Sequence, residues 1–280
     1  MIASDPLLFA VFGQPISHSR SPQIHAAFAR QFGLDVDYRR IESDGDGFTE
    51  RLATFLGEGG RGANLTLPLK EIAAPVCREV SLRAQWAGSI NTLTRQGAEW
   101  IGDSTDGEGL LTDLRDRHGV ELEGTRILII GAGGAARAAA AALINMGIEA
   151  LTVANRNVAR AQRLCDEVDS LGRSIACDLN ELENHGVVDL LINATSAGHG
   201  DQRPAVPDCL VGSDTVAYDL SYGAAAQPFL HWAHARGAAC SIDGLGMLVE
   251  QAAASFAIWH GDRPVTEPVY RAQRALLVSS

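Results

Sequence analysis

Lysine is all but missing from this chain of 280 residues. Of its 23 Lys and Arg residues, 22 are arginine and one, Lys70, is lysine. Most surface roles of lysine tolerate arginine. A role that needs an amine able to exchange a proton near neutral pH does not, because the guanidinium stays charged. Lys70 is therefore a candidate functional group. A bilayer-spanning apolar run is also missing: the most apolar stretch, 138–144, is short and bordered by glycine-containing sequence. The N-terminal residues lack the basic and then apolar pattern of a secretory signal. Net positive charge is missing as well. At a formal net charge of −11 the chain offers no basic face to nucleic acid, and an anionic ligand must be held by local donors.

Cysteine pairing is the next absence. Cys77, Cys165, Cys177, Cys209 and Cys240 are odd in number and have neither metal nor redox spacing. Reduced, mostly buried thiols in a cytoplasmic protein are expected. His231 and His234 lie three apart without a third ligand, so no metal site is expected. Trp86, Trp100, Trp232 and Trp259 read as packing residues of the core or its rim.

What is present is an α/β pattern with enough apolar content, 46% of residues, for two cores. In the first third, strands are predicted at 7–13, 36–41, 62–66, 89–94 and 99–102. Helices are predicted from Pro22 with Ser21 as N-cap, at 47–56 and near 67–83. The alternation implies a mostly parallel sheet. A helix over 106–117 leads to a second βα series. Its strands are predicted at 126–130, 150–154, 188–193 and 215–220 and near Ala239, its helices at 134–145, 158–168 and 228–236. A long helix over 245–260 is read as the last element, returning to the first domain. The expected domains are 1–106 with 244–280 for substrate and 107–243 as a Rossmann-type doubly wound domain, with a ligand cleft between them.

The cofactor class is legible in the second domain. After the apolar run Arg126–Ile130, Gly131-Ala132-Gly133-Gly134-Ala135-Ala136 fits the G-x-G-x-x-A dinucleotide fingerprint. Gly131 permits the tight turn, Gly133 the approach of pyrophosphate, and Ala136 close helix packing. The helix N-terminus that follows offers free N–H groups to phosphate. At the end of the next strand an NAD site usually carries Asp or Glu. Here Asn155-Arg156-Asn157 follows, with Arg160 four residues after Arg156. Two guanidiniums and no acid suit a 2′-phosphate, so NADP(H) is the expected cofactor. Asn193, Thr195 and Ser196, at another strand end, are expected near the nicotinamide ribose.

Six polar clusters carry a family resemblance. They are 17–22 (Ser17-His18-Ser19-Arg20-Ser21-Pro22), 62–70 (with Asn64, Thr66, Pro68 and Lys70), 90–92 (with Asn91), 102–107 (with Asp106), 219–222 (with Tyr222) and 243–251 (with Gln251). Taken in order over nearly the whole chain, they resemble the shikimate dehydrogenase family. The resemblance implies reversible reduction of 3-dehydroshikimate to shikimate with NADPH. It assigns Ser17, Ser19 and Tyr222 to the substrate carboxylate. Asn64, Thr66, Lys70, Asn91, Asp106 and Gln251 go to the ring hydroxyls and carbonyl, with Lys70 and Asp106 as the catalytic pair. Leu220, Gly244 and Met247 join the cofactor set. His18 and His25 are read as local hydrogen-bonders, and Asp243 as a helix cap.

The chemistry agrees with that implication. A carbonyl that accepts hydride develops alkoxide charge, which an ammonium stabilises and then protonates. Hydroxyls and amides match the donors and acceptors of a polyol. Three positions depart from the usual family pattern: Ser104 in place of Asn, Asn157 in place of Thr, and Leu65 in place of Val. Ser104 is expected to loosen the positioning of Asp106. The rival readings are a quinate/shikimate dehydrogenase or a weakly active paralogue and, from another class, a non-catalytic NADP(H) sensor. The expected partner is a small molecule, not nucleic acid or membrane, and a homodimer is compatible with the sequence.

Overall fold

A computed structural model describes residues 5–195 and 204–278. The chain divides into two compact units, one of residues 1–109 with 249–280 and one of residues 110–248.

The first unit is built on a six-stranded sheet. Strands β1 (Leu7–Gly13), β2 (Val36–Glu42), β3 (Gly62–Leu65), β4 (Cys77–Val80), β5 (Thr92–Gln96) and β6 (Glu99–Asp103) lie in the order β2-β1-β3-β5-β6-β4. The sheet is mixed. β2 and β3 run parallel to β1, and β4 parallel to β6, whereas β5 is antiparallel to both neighbours. β5 and β6 form a hairpin through Gly97, whose φ of 65° suits the tight turn. Leu8, Ala10 and Phe12 of β1 pack with Phe48, Leu52 and Phe55 of α2 (Phe48–Gly57). Each fully buried Leu or Phe contributes roughly 1.5–3 kcal/mol.

The sequence reading needs four corrections here. Helix α1 (Ser21–Gln31) has Arg20 at its N-cap, so Ser21 is its first residue. The predicted helix near 67–83 does not form. Pro68 and Pro75 interrupt it, leaving two short 3₁₀ turns, strand β4 and helix α3 (Leu82–Ala87). The helix predicted over 106–117 becomes α4 (Asp106–Thr112) followed by a π-helical turn, Asp113–Arg117. The helix read as the last element is followed by another, Glu267–Val278.

The second unit has six parallel strands: β7 (Arg126–Ile130), β8 (Ala150–Ala154), β9 (Ser174–Cys177), β10 (Leu190–Asn193), β11 (Val216–Asp219) and β12 (Cys240–Asp243). Their order is β12-β11-β10-β7-β8-β9. Strand β9, on an edge, is a further element the sequence reading missed. Ile127 and Ile129 enter one core cluster, Leu128 and Ile130 another. A strand buried on both faces reads as a continuous apolar run, and β7 does. Helices α5 (Gly134–Leu143), α6 (Val158–Val168) and α7 (Gln227–Ala235) follow their strands. Helix α8 (Leu245–His260) starts in this unit and ends in the first. Helix α9 is the Glu267–Val278 segment, whose Gln273 accepts a hydrogen bond from Arg20 at 3.2 Å.

All five cysteines are free. Cys165 and Cys177 are buried, and Cys77 is intermediate, but Cys209 and Cys240 are exposed, against the expectation of mostly buried thiols. Trp100 and Trp232 are buried as expected, while Trp86 is 38% exposed. Among the described residues no helix is long and apolar enough to cross a membrane. Among the same residues no group of His, Cys, Asp or Glu could hold a metal.

Candidate active site

In the first unit the polar clusters sit where strands end. β1 closes on the segment after β3: a Cβ at Gly13 would run into the Thr66 methyl and the Leu67 carbonyl, so glycine is needed there. Thr66 N donates to Phe12 O at 2.9 Å and Gln14 N to Leu67 O at 2.8 Å. The 3₁₀ turn Leu69–Glu71 then carries Lys70. Its backbone is tied to the segment before β5, because Ile90 N donates to Lys70 O at 2.8 Å.

Lys70 Nζ donates to Asp106 Oδ2 at 2.5 Å, with side chains 17% and 5% exposed. The only lysine is therefore paired with a nearly buried carboxylate, and its own side chain stays partly exposed. Asp106 is the first residue of α4. Its other oxygen accepts from Asn91 Nδ2 at 2.8 Å. Asn91 also donates to Thr105 Oγ1 at 2.9 Å and to Gln251 Oε1 at 3.2 Å, and its Oδ1 accepts from Thr105 N at 2.8 Å. Asn64 Nδ2 reaches the Asn91 carbonyl at 3.1 Å and Ser255 Oγ at 3.0 Å. Thus Asn64, Lys70, Asn91, Asp106 and Gln251, spread over 188 positions of sequence, share one hydrogen-bonded cluster.

Ser19 lies at the start of α1, where its Oγ accepts from Ser21 N at 3.3 Å. Ser17 and His18 are exposed on the same connection. His25, by contrast, is buried and stacked on Tyr38. Burial pushes its imidazole down to about 3, the His260 charge adds to that, and a hydrogen bond to Asn64 opposes it. It is a neutral packing residue.

The Ser104 hydroxyl makes no hydrogen bond to Asp106: it is buried without a partner among the described residues, and the hydrogen bonds beside Asp106 run through Thr105 and Asn91. One residue upstream, Asp103 anchors the segment by accepting from Arg83, Ser81 and Ser104 N. Burial raises Asp103, but Arg83 and Ser81 outweigh it and leave the carboxyl below its usual range.

Three members of the cluster have no predicted role: Thr92, Thr105 and Ser255. Thr92 Oγ1 and Ser255 Oγ are 2.7 Å apart, and Thr105 Oγ1 is 3.1 Å from Ser255 Oγ. Ser255 follows Gln251 by one helical turn on α8, a spacing that could have flagged it.

In the second unit, Gly131 takes a φ of +112° directly after β7. A Cβ there would come 2.9 Å from the Ala194 carbonyl oxygen, so the fingerprint glycine serves a close backbone approach. Gly133 is the N-cap of α5 without a side-chain cap, which leaves that helix start to a ligand. Ala132 and Ala136 are buried, while Gly133 and Ala135 are partly open. After β8, Asn155 Nδ2 donates to Asn157 O at 2.9 Å, and Arg156, Asn157 and Arg160 are all exposed. This set of donors fits an NADP(H) phosphate group.

At the end of β10, Asn193 Oδ1 accepts from Thr195 N and Oγ1, at 3.1 and 2.8 Å, and Asn193 Nδ2 donates to Asp219 at 2.7 Å. Burial pushes Asp219 up to about 6, with the Ser221 and Asn193 hydrogen bonds opposing. Ser196 lies outside the described residues. Leu220 accepts the close approach of Gly244, where a Cβ would strike its carbonyl. Tyr222 precedes the turn Gly223–Ala226, and Met247 is buried in the first turn of α8. Asp243, expected as the N-cap of α8, stands one residue before that position, which Gly244 holds; its carboxylate accepts from Leu245 N at 3.2 Å and from Gly223 N.

Three family models match the chain. They are the shikimate dehydrogenase substrate binding domain over residues 11–93, the shikimate / quinate 5-dehydrogenase over 113–200 and the shikimate 5′-dehydrogenase C-terminal domain over 244–272. A shikimate dehydrogenase (NADP(+)) of Xanthomonas campestris pv. campestris is 50% identical over 277 residues, covering 97% of this chain and 98% of that protein. Among solved structures, an Ael1 enzyme from Pseudomonas putida has a TM-score of 0.87 at 38% identity, covering 95% of this chain and 97% of its own. The shikimate 5-dehydrogenase of Thermus thermophilus, in complex with NADP(H) and shikimate, has a TM-score of 0.84 at 34% identity, covering 96% and 99%. With half of its residues shared across nearly its whole length, the chain belongs to the shikimate dehydrogenase family.

Proposed function

We propose that the chain catalyses the NADPH-dependent, reversible reduction of 3-dehydroshikimate to shikimate. The observation that carries this reading is the Lys70–Asp106 ion pair, set among Asn64, Asn91 and Gln251. NADPH, when bound, supplies the hydride; Gly131, Ala132, Gly133, Gly134 and Ala135 would take its pyrophosphate, and Asn155, Arg156, Asn157 and Arg160 its 2′-phosphate. Asn193, Thr195, Leu220, Gly244 and Met247 complete that set.

Lys70 donates a proton to the carbonyl oxygen as alkoxide charge develops there, and it removes that proton in the reverse direction. Asp106 orients the ammonium through Oδ2, and Asn91 fixes the other carboxylate oxygen, so the pair is preorganised before substrate arrives. Asn64, Thr66, Asn91 and Gln251 bind the ring hydroxyls. Ser17, Ser19 and Tyr222 take the carboxylate, a role that suits hydroxyl donors in a chain of net charge −11. Residues 1–106 with 244–280 form the substrate domain in this reading, and 107–243 the NADP domain. Free thiols accord with a reducing compartment, the cytoplasm.

Lys70→Ala is expected to lower kcat by about 10²–10⁴-fold while NADPH still binds. Stopped-flow single turnovers and nucleotide titration measure the two separately. Near-normal turnover by the variant would refute the role of Lys70.

A further inference from the structure

Tyr38 belongs to none of the sequence clusters, yet it bonds directly to one of them. From β2 its hydroxyl donates to Asn64 Oδ1 at 2.7 Å. The orientation of the Asn64 amide is not a free choice. The atom facing the Asn91 carbonyl must be a donor, because that oxygen can only accept, so Nδ2 is there and Oδ1 faces Tyr38. Nδ2 is further engaged by Ser255 Oγ at 3.0 Å and Thr92 Oγ1 at 3.3 Å. Burial pushes the Tyr38 phenol well above its usual range, against a hydrogen bond with Ser21, so it keeps the proton it donates.

The ring that carries this hydroxyl is held flat. His25 stacks on it with centroids 4.5 Å apart and 10° between planes, and Trp259 lies 6.4 Å away. Ser21, which also engages the phenol, accepts from Ser19 Oγ at 3.2 Å. Polar contacts therefore run from Ser19 through Ser21 and Tyr38 to Asn64, and from there to Asn91 and Asp106.

We propose that Tyr38 is a positioning residue for substrate recognition: its hydroxyl fixes the orientation of the Asn64 amide, the group assigned above to a ring hydroxyl. It ties that amide to the serines at the start of α1. Tyr38 touches no reacting atom and acts through Asn64. This inference rests on the reading of the site as one for shikimate.

Tyr38→Phe removes one oxygen and keeps the stacked ring. In steady-state oxidation of shikimate by NADP, it is expected to raise the KM for shikimate about tenfold. Its kcat should stay within about threefold and its KM for NADP should not change. In an Asn64→Ala background the same substitution should add nothing, since the group it acts through is gone. An unchanged shikimate KM in Tyr38→Phe would overturn the proposal. So would a KM increase that persists in full in the Asn64→Ala background, or a fall in kcat with both KM values raised together. Should Tyr38→Phe not accumulate as folded protein, Ser21→Ala removes the other hydroxyl that engages the same phenol. It is expected to raise the shikimate KM by a smaller factor and to leave that for NADP alone; no change would again overturn the proposal. A wild-type enzyme inert towards shikimate refutes the functional reading instead, and is seen without any variant.

Discussion

His25 spends its ring on packing and so makes the fold sensitive to acid. Its imidazole takes a proton only at about 3 in the folded chain, against 6.5 for an exposed histidine. Between those values the unfolded chain binds more protons, so stability rises with pH through this window and is lost as pH falls below about 6.5. The group's share between pH 7 and pH 5 is about 2 kcal/mol. Urea denaturation of His25→Phe at both pH values should show that much less acid sensitivity than the wild type; equal sensitivity would contradict the assignment. At this scale Lys70 was legible because its residue type is unique in the chain. Tyr38 and Ser255 were not, because each matters through its bond to Asn64, 26 and 191 positions away in sequence. No local pattern records such a pairing.

Gly131, at the junction of β7 and α5, sits where the backbone admits only glycine. It combines a positive φ with a carbonyl that would lie 2.9 Å from any Cβ. Gly131→Ala is expected to cost about 1–3 kcal/mol of backbone strain and to displace the turn. Fluorescence titration should then find NADPH binding weakened at least tenfold, with the shikimate KM little changed. Unaltered NADPH affinity would argue against this turn as the phosphate cradle. Strands β7 and β8 and helices α6 and α8 were legible to the residue, because long apolar periodicity and clear glycine or Asn boundaries define them. Strands β4 and β9 were not: both are four-residue edge strands, mostly uncovered, so neither shows alternation. Helix α9 escaped for a similar reason, since Val269 and Gln273 are its only buried residues and its hydrophobic stripe is thin. Pro68 and Pro75 are the sequence signal for the broken segment between β3 and α3.

At the scale of the molecule, the chain is two units with separate cores, one around a mixed sheet and one around a parallel sheet. The parallel unit was the more legible, because βα repetition fixes its strand direction. In the other, the hairpin of β5 and β6 turns the sheet mixed, and only the pairing register reveals that. The substrate cluster depends on this: β5 runs antiparallel to β3, which brings Asn64 opposite Thr92 and next to Asn91. The central claim is that this arrangement recognises shikimate and that Arg156 and Arg160 select NADP over NAD. It is tested most directly by following the near-ultraviolet absorbance of the reduced nucleotide as it forms from shikimate and quinate, each with NADP and NAD. The account expects turnover with shikimate and NADP and at most weak turnover in the other three combinations. Faster turnover of quinate, or a preference for NAD, would contradict it.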